Sequence, residues 1–210
     1  MIRIVAVERE YGCGGSEIAK RLAEVLGWKL WDHQLTEEIA RLANCSKAAV
    51  EQREERTDPL YYRLFKSFLR GSYEGSMNAH KLNLVDSENI LKFTRAVVEH
   101  AAKRGDSVIV GRGSQLFLKD RADTFRVFLY ASREDKIRRL LSRGKSEREA
   151  QELVDTVDRE RGGYIEKYFH VEWPHRSIYH LMVNTGVGDE LVAQTILNFM
   201  KSLESKNIPQ

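Results

Sequence analysis

The spacing of apolar residues changes sharply along this chain, and each change marks an element. Ile2, Ile4, Val5 and Val7 form a short β-branched run that a glycine-rich turn ends. Helical spacing follows, with Ile18, Leu22, Val25 and Leu26 on one face and Gly27 as the stop. Lys29-Leu30-Trp31 reads as a brief strand ending at Asp32, and Leu35, Ile39, Leu42 and Ala43 as another amphipathic helix. From about Asn44 to Val85 the pattern is poorer. Tyr61, Tyr62, Phe65, Phe68 and Tyr73 stand among basic residues, helical up to Gly71, and 71–78 reads as a loop. Regularity returns with a helix through Ile90, Thr94, Val97 and Ala101, ending near Gly105. Ser107–Val110 is an apolar strand that runs into Gly111-Arg112-Gly113, and Phe125–Tyr130 is the next strand. Ser132 and Ser146 each open a capped helix, and Leu181-Met182-Val183 is a last strand before a helix through Val192, Ile196, Phe199 and Leu203.

Strands alternating with helices predict a parallel sheet covered on both faces, with ligands at the carboxyl ends of its strands. Four such ends carry polar or glycine residues: the turn Gly12-Cys13-Gly14-Gly15-Ser16, then Asp32, Arg112 and Asn184-Thr185-Gly186. A glycine-rich turn entering a helix points backbone N–H groups, and the positive end of the helix dipole, at an anion. With three glycines in four positions the phosphate reading outweighs a bare tight turn.

Composition narrows the setting without changing it. Apolar residues at 42% and charged residues at 31% of 210 suit a single globular domain, 1–210. No apolar run reaches membrane-spanning length, no signal peptide is evident, and the two cysteines are too few for a disulfide framework, so the expected compartment is the cytoplasm. A net charge of +3 with interleaved signs argues for solvated helix faces rather than a nucleic-acid surface.

Against the usual Gly-x-x-x-x-Gly-Lys-Ser/Thr phosphate loop, Ser16 falls on the hydroxyl position and Gly14 on the second glycine. Arg9 then stands at the first glycine and Gly15 at the lysine, the cation that normally steadies the transferring phosphates. The segment Val7–Ala19, with its Arg9-Glu10-Tyr11-Gly12-Cys13-Gly14-Gly15 core, resembles the start of the cytidylate kinase-like family, a branch of the nucleoside monophosphate kinases. Val108–Gly113, Phe128–Ser132 and the stretch from Tyr164 and Trp173 to Thr185 resemble it in the same order, so the likeness covers nearly the whole chain and is weakest over 44–85. It implies a P-loop NTPase-type three-layer α/β sandwich: a five-stranded parallel sheet flanked by helices. A helical acceptor insert at about 34–90 and a lid at about 132–175 would complete it. It also implies ATP and Mg²⁺, with the donor phosphates cradled by Gly12, Cys13, Gly14, Gly15, Ser16 and Glu17. Arg112 matches the arginine that holds the acceptor's phosphate, while Gly113 stands where true cytidylate kinases carry an acid. Lys136 and Arg139, with Arg159 and Arg161, fall where those kinases place lid cations.

The residues taken singly leave alternatives open. Asp32 either approaches the acceptor or caps the helix that follows; Ser16 either binds Mg²⁺ or caps its own helix. Arg112 either binds phosphate or pairs with Asp32 or Glu8. Cys13 is either a reactive thiol at a helix start or a loop filler. Lys136, Arg139 and Arg143 share a helix face. His170 and His175 flank Trp173 and either touch a base or pack a lid segment. Arg9, directly after the first strand, is the candidate replacement for the lysine. The expected function is phosphoryl transfer from ATP to a nucleoside monophosphate-like acceptor such as CMP, or another small acceptor. The rival is a nucleotide-binding sensor or regulatory protein that lost catalysis with the lysine. The expected partners are a small nucleotide or metabolite, with neither membrane nor nucleic acid, and the aromatic insert is a candidate contact in a homo-oligomer.

Overall fold

The computed structural model describes residues 1–32, 34–35, 38–39 and 87–205. Most of the expected acceptor insert, including its aromatic run and Cys45, lies outside the described residues. Strands β1 (Ile4–Arg9), β2 (Lys29–Trp31), β3 (Ser107–Val110), β4 (Thr124–Tyr130) and β5 (Leu181–Asn184) form one sheet in the order β2-β3-β1-β4-β5. Every pairing is parallel, and β1 is central, with Ile4 opposite both Ser107 and Thr124. A central strand covered on both faces favours apolar residues, which is why β1 opens on the hydrophobic run Ile4–Val7.

The helices are α1 (Gly15–Leu26), α2 (Ser87–Arg104), α3 (Ser114–Phe117), α4 (Arg133–Ser142), α5 (Glu147–Phe169) and α6 (Asp189–Ser205). Val5 and Val7 face α1 and α6, meeting Ile18, Leu22, Val192 and Ile196. Ile4 faces the other way, onto Val97, Val98, Ala101, Leu35 and Ile39. Each such side chain, taken wholly from water, contributes roughly 1.5–3 kcal/mol. Two smaller apolar clusters divide α5 between them: Val154 and Val157 pack with Tyr11 and Leu140, while Tyr164 and Ile165 pack with Leu116. Ser132 and Ser146 cap α4 and α5 as their sequences predict, accepting from Asp135 N and Glu149 N.

Two features depart from the sequence pattern. Helix α5 continues through Gly162-Gly163 to Phe169, where the periodicity supports it only as far as Val157, because Tyr164 and Ile165 still find a buried face. The four-residue α3, directly after Gly113, has no periodic signature at all. No helix among the described residues is long and apolar enough to cross a membrane.

Candidate active site

The apolar run of β1 ends in two charged residues that stay inside. Glu8 is 1% and Arg9 3% exposed, although β3 stops pairing at Val7 and only β4 continues alongside them. Beyond them the chain turns through Gly12 and Gly14, both at positive φ, and Gly14 caps α1. The turn is tied down at several points. Glu10 N donates to Leu129 O at 2.9 Å, and Thr185 Oγ1 donates to Cys13 O at 2.6 Å.

Each loop glycine is pressed by a basic side chain. A Cβ built on Gly12 would lie 3.3 Å from Lys136 Cβ. One on Gly14 would collide with the Arg139 guanidinium, and one on Gly15 would sit 2.8 Å from Arg9 Cβ and Cγ. The Arg9 stem therefore fills the space where a lysine at position 15 would have to start. The Arg9 guanidinium runs on past Gly111, where a Cβ would meet Nη1, toward Glu8 Oε1 at 3.7 Å and Asp32 Oδ1 at 3.9 Å.

The end of β3 reaches the same place. Gly111, Arg112 and Gly113 adopt φ values of 66°, 62° and 69°, a left-handed turn that costs Arg112 strain and carries its side chain inward to 1% exposure. A Cβ on Gly113 would lie 2.8 Å from Phe169 Cζ, so any side chain at this left-handed position would have to displace the Phe169 ring. Burial pulls the Arg112 pKa down to about 9, the Arg9 charge adding to the fall and Asp32 opposing it. Arg161, 2% exposed, is lowered for the same reasons, burial first and Arg9 second.

Helix α5 brings Arg161 there by gripping the loop. Arg161 Nη1 donates to Arg9 O at 2.7 Å, and Asp158, one turn earlier, accepts Tyr11 N–H at 2.7 Å. Lys136 joins from α4, 2.5 Å from Glu10 Oε2 and 3.1 Å from Asp158 Oδ2. Burial opposes its charge, but Asp158 and Glu10 outweigh burial and raise its pKa.

The expected site residues thus divide. Arg9, Asp32, Arg112, Arg161 and Lys136 surround the loop mouth with Gly12, Cys13, Gly14, Gly15 and Ser16. Arg139 lies against the loop but is held by Asp189, at 2.7 and 3.1 Å, and by Thr185 O. Glu17 is exposed and pairs with Arg143 at 2.8 Å. Arg159 is exposed, about 200° round the helix from Arg161, and lines a separate surface cavity of about 510 Å³ with Glu166, His170 and Trp173. The Cys13 thiol is fully buried, and burial foremost pushes its pKa up to about 12, which argues against a reactive thiolate. Trp173 packs edge-on against Phe128 and lies across Gly162. Sequence reasoning passed over Asp158 and Glu10, although Asp158 stands three residues before Arg161, the spacing of helical neighbours.

A loop of N–H groups ringed by cations, at the carboxyl ends of parallel strands, suits a polyphosphate. Residues 4–187 match the cytidylate kinase-like family. No curated protein matches the chain. Among solved structures, an uncharacterized protein from Eubacterium ventriosum is similar at 22% identity and a TM-score of 0.68, covering 96% of this chain and 99% of its own. A gluconokinase from Sinorhizobium meliloti is similar at 16% identity and 0.56, covering 96% and 93%. A shikimate kinase from Acinetobacter baumannii, solved with shikimate, is similar at 19% and 0.51, covering 96% and 94%. These likenesses establish the P-loop kinase type of fold.

Proposed function

Because the chain belongs to the cytidylate kinase-like family, we propose that it is a phosphotransferase moving the γ-phosphoryl group of ATP to a small acceptor, either a nucleoside monophosphate such as CMP or another small anionic metabolite. The observation that carries this reading is the concentration of buried guanidinium groups at the loop: Arg9, Arg112 and Arg161 crowd together, with Lys136 beside them, among the carboxylates of Glu8, Asp32, Asp158 and Glu10. Burying guanidinium groups beside one another is costly, and an incoming phosphate offsets that cost.

In this reading the loop N–H groups of Gly12–Ser16 bind the donor phosphates and orient them toward β3. Arg112 holds the acceptor's anionic group, while Asp32 accepts a hydrogen bond from it and keeps it in register. Arg9, Lys136 and Arg161 neutralise charge spreading over the transferring group, and α5 over the loop excludes water. Positioning and neutralisation supply most of the acceleration in such chemistry, so no dedicated base is required. Mg²⁺ favours oxygen ligands and reluctantly gives up its waters. Among the described residues no group of His, Cys, Asp or Glu side chains is assembled to hold a metal. The ion would arrive on the nucleotide, with the Ser16 hydroxyl as its protein ligand, and would supply charge neutralisation between the phosphates.

Gly15 at the lysine position favours a second reading, a sensor that binds nucleotide without turning it over. Labelled ATP offered with a panel of nucleoside monophosphates, gluconate and shikimate separates the two. A kinase yields a labelled acceptor, and Arg112→Ala lowers that turnover by at least about 100-fold while ATP affinity changes little. ATP binding without transfer to any acceptor would reject the kinase in favour of the sensor.

A further inference from the structure

Part of the polar interior at the strand ends is used by neither the donor nor the anion-binding residues. Helix α3 begins directly after Gly113 and turns Ser114 and Gln115 inward, at 0% and 1% exposure. Neither Oε1 nor Nε2 of Gln115 makes a hydrogen bond, and neither does Ser114 Oγ. The Tyr179 hydroxyl is a polar neighbour of the carboxamide, and its interaction with Gln115 opposes the rise that burial and then Glu8 give its pKa. Glu8 Oε2 and Arg161 Nη2 are buried in the same way, with no hydrogen bond to either atom.

A carboxamide buried with its hydrogen-bonding capacity unmet destabilises the fold, and a leucine of similar volume would avoid the cost. Sequences keep such groups where a ligand or an ordered water completes them. The position argues for a ligand: Gln115 follows Arg112 by three residues, past the carboxyl end of β3 and against β1, where ligands of parallel sheets bind.

We propose that Gln115 is a specificity residue of the acceptor site. Its amide N–H₂ and C=O, side by side, pair with a neutral group on the acceptor that both donates and accepts hydrogen bonds, an amide-like base edge or a pair of hydroxyls. Arg112 holds the same molecule's anionic group. The acceptor is therefore a small anion bearing such a neutral polar group, and a bare anion satisfies only the arginine. This rests on the acceptor site placed at Arg112 above.

The test uses Gln115→Leu in the full chain. The apo variant should unfold at the same temperature as the parent or higher, because two unpaired polar atoms are gone. A midpoint lowered by several degrees would make Gln115 a structural group and overturn the proposal. Calorimetry with CMP, gluconate and inorganic phosphate gives the second arm. The variant should bind whichever organic probe the parent binds about tenfold more weakly, with phosphate affinity unchanged within about twofold. Equal weakening of phosphate, or no weakening of the organic probe, would also overturn it. If the parent binds neither organic probe, the unfolding temperature alone decides. Failure of the parent to phosphorylate any acceptor counts against the kinase and leaves the stability result for Gln115 standing.

Discussion

Two populations of arginine stand within reach of the same loop, and they are held in opposite ways. On α4 and its surroundings each guanidinium has its own carboxylate. Arg139 forks onto Asp189, Arg133 onto Asp155 at 2.9 and 3.1 Å, and Arg143 meets Glu17. The pKa values of Arg139 and Arg133 rise accordingly, each through its hydrogen-bonded aspartate. At the strand ends Arg9, Arg112 and Arg161 crowd together, and burial with mutual repulsion lowers Arg112 and Arg161. The first population is matched within the chain, so it fastens helices. The second is buried and shares its carboxylates, Arg9 with Glu8 and Asp32, and Arg161 and Lys136 with Asp158, in a low-dielectric setting where an added anion gains most. Basic residues near a phosphate loop are therefore not interchangeable candidates. The carboxylate beside each one decides its work.

The sharpest way to break this contrast is to move the cation. Arg9→Met keeps the stem against Gly15 and removes the charge, so the activation free energy of turnover should rise by about 2–4 kcal/mol, and the Glu8 and Asp32 carboxylates left buried should lower stability as well. Restoring the ordinary lysine with Gly15→Lys should harm rather than help, because its Cβ would start 2.8 Å from Arg9 Cβ and Cγ. Overpacking of that kind costs about 1–3 kcal/mol in urea unfolding. Clearing the stem as well, in Arg9→Gly with Gly15→Lys, should recover most of that loss as a measurable coupling. A stable, active Gly15→Lys single variant would show that Arg9 does not occupy the lysine's place.

The contrast also separates what the sequence reveals from what it conceals. The central strand, the capped starts at Ser132 and Ser146 and the glycine loop are local patterns, and the structure follows them. That Lys136, Arg139 and Arg143 share a face was also readable, because helical periodicity sets it. Their different partners were not. Asp158, Glu10 and Asp189 lie on other elements, and only tertiary packing decides which cation each meets. Arg159 and Arg161 looked equivalent for another reason: the pattern supports α5 only as far as Val157, and only a helix continued past it turns residues two apart to opposite sides. The α3 turn carrying Gln115 was too short for any period to expose it.

A milder test addresses the matched population. Arg139→Met should leave nucleotide turnover within about fivefold of the parent, since Asp189 and Thr185 O already absorb its donors. It should cost about 1–2 kcal/mol of stability by loosening α4 from α6, a bidentate pair with both partners partly exposed. A loss of turnover as deep as that of Arg9→Met, without loss of stability, would move Arg139 into the phosphate-binding set.

The smallest effect concerns Arg126, which the chain satisfies without any carboxylate. Its guanidinium donates to Ile178 O at 2.7 Å and Lys119 O at 3.1 Å, and lies 2.8 Å from His180 Nε2. His180 Nδ1 accepts the Arg126 backbone N–H at 3.0 Å. With Nδ1 accepting, the neutral ring carries its proton on Nε2, and a second proton would put an N–H on Nδ1 facing the Arg126 backbone donor. Burial first, and the Arg126 charge second, accordingly lower the His180 pKa to about 4 from the usual 6.5. The unfolded chain then takes up a proton near pH 6.5 that the folded chain refuses until about pH 4. Stability is therefore full above pH 6.5 and drains as the pH falls toward 4. The loss from this one ring should be about 1 kcal/mol by pH 5, less than the full shift because the ring is only half-buried. An NMR titration of the folded protein should place the His180 ring near pH 4. A ring that titrates above pH 6 would mean Arg126 tolerates a cation beside it, and its guanidinium would no longer count among those the chain has already matched.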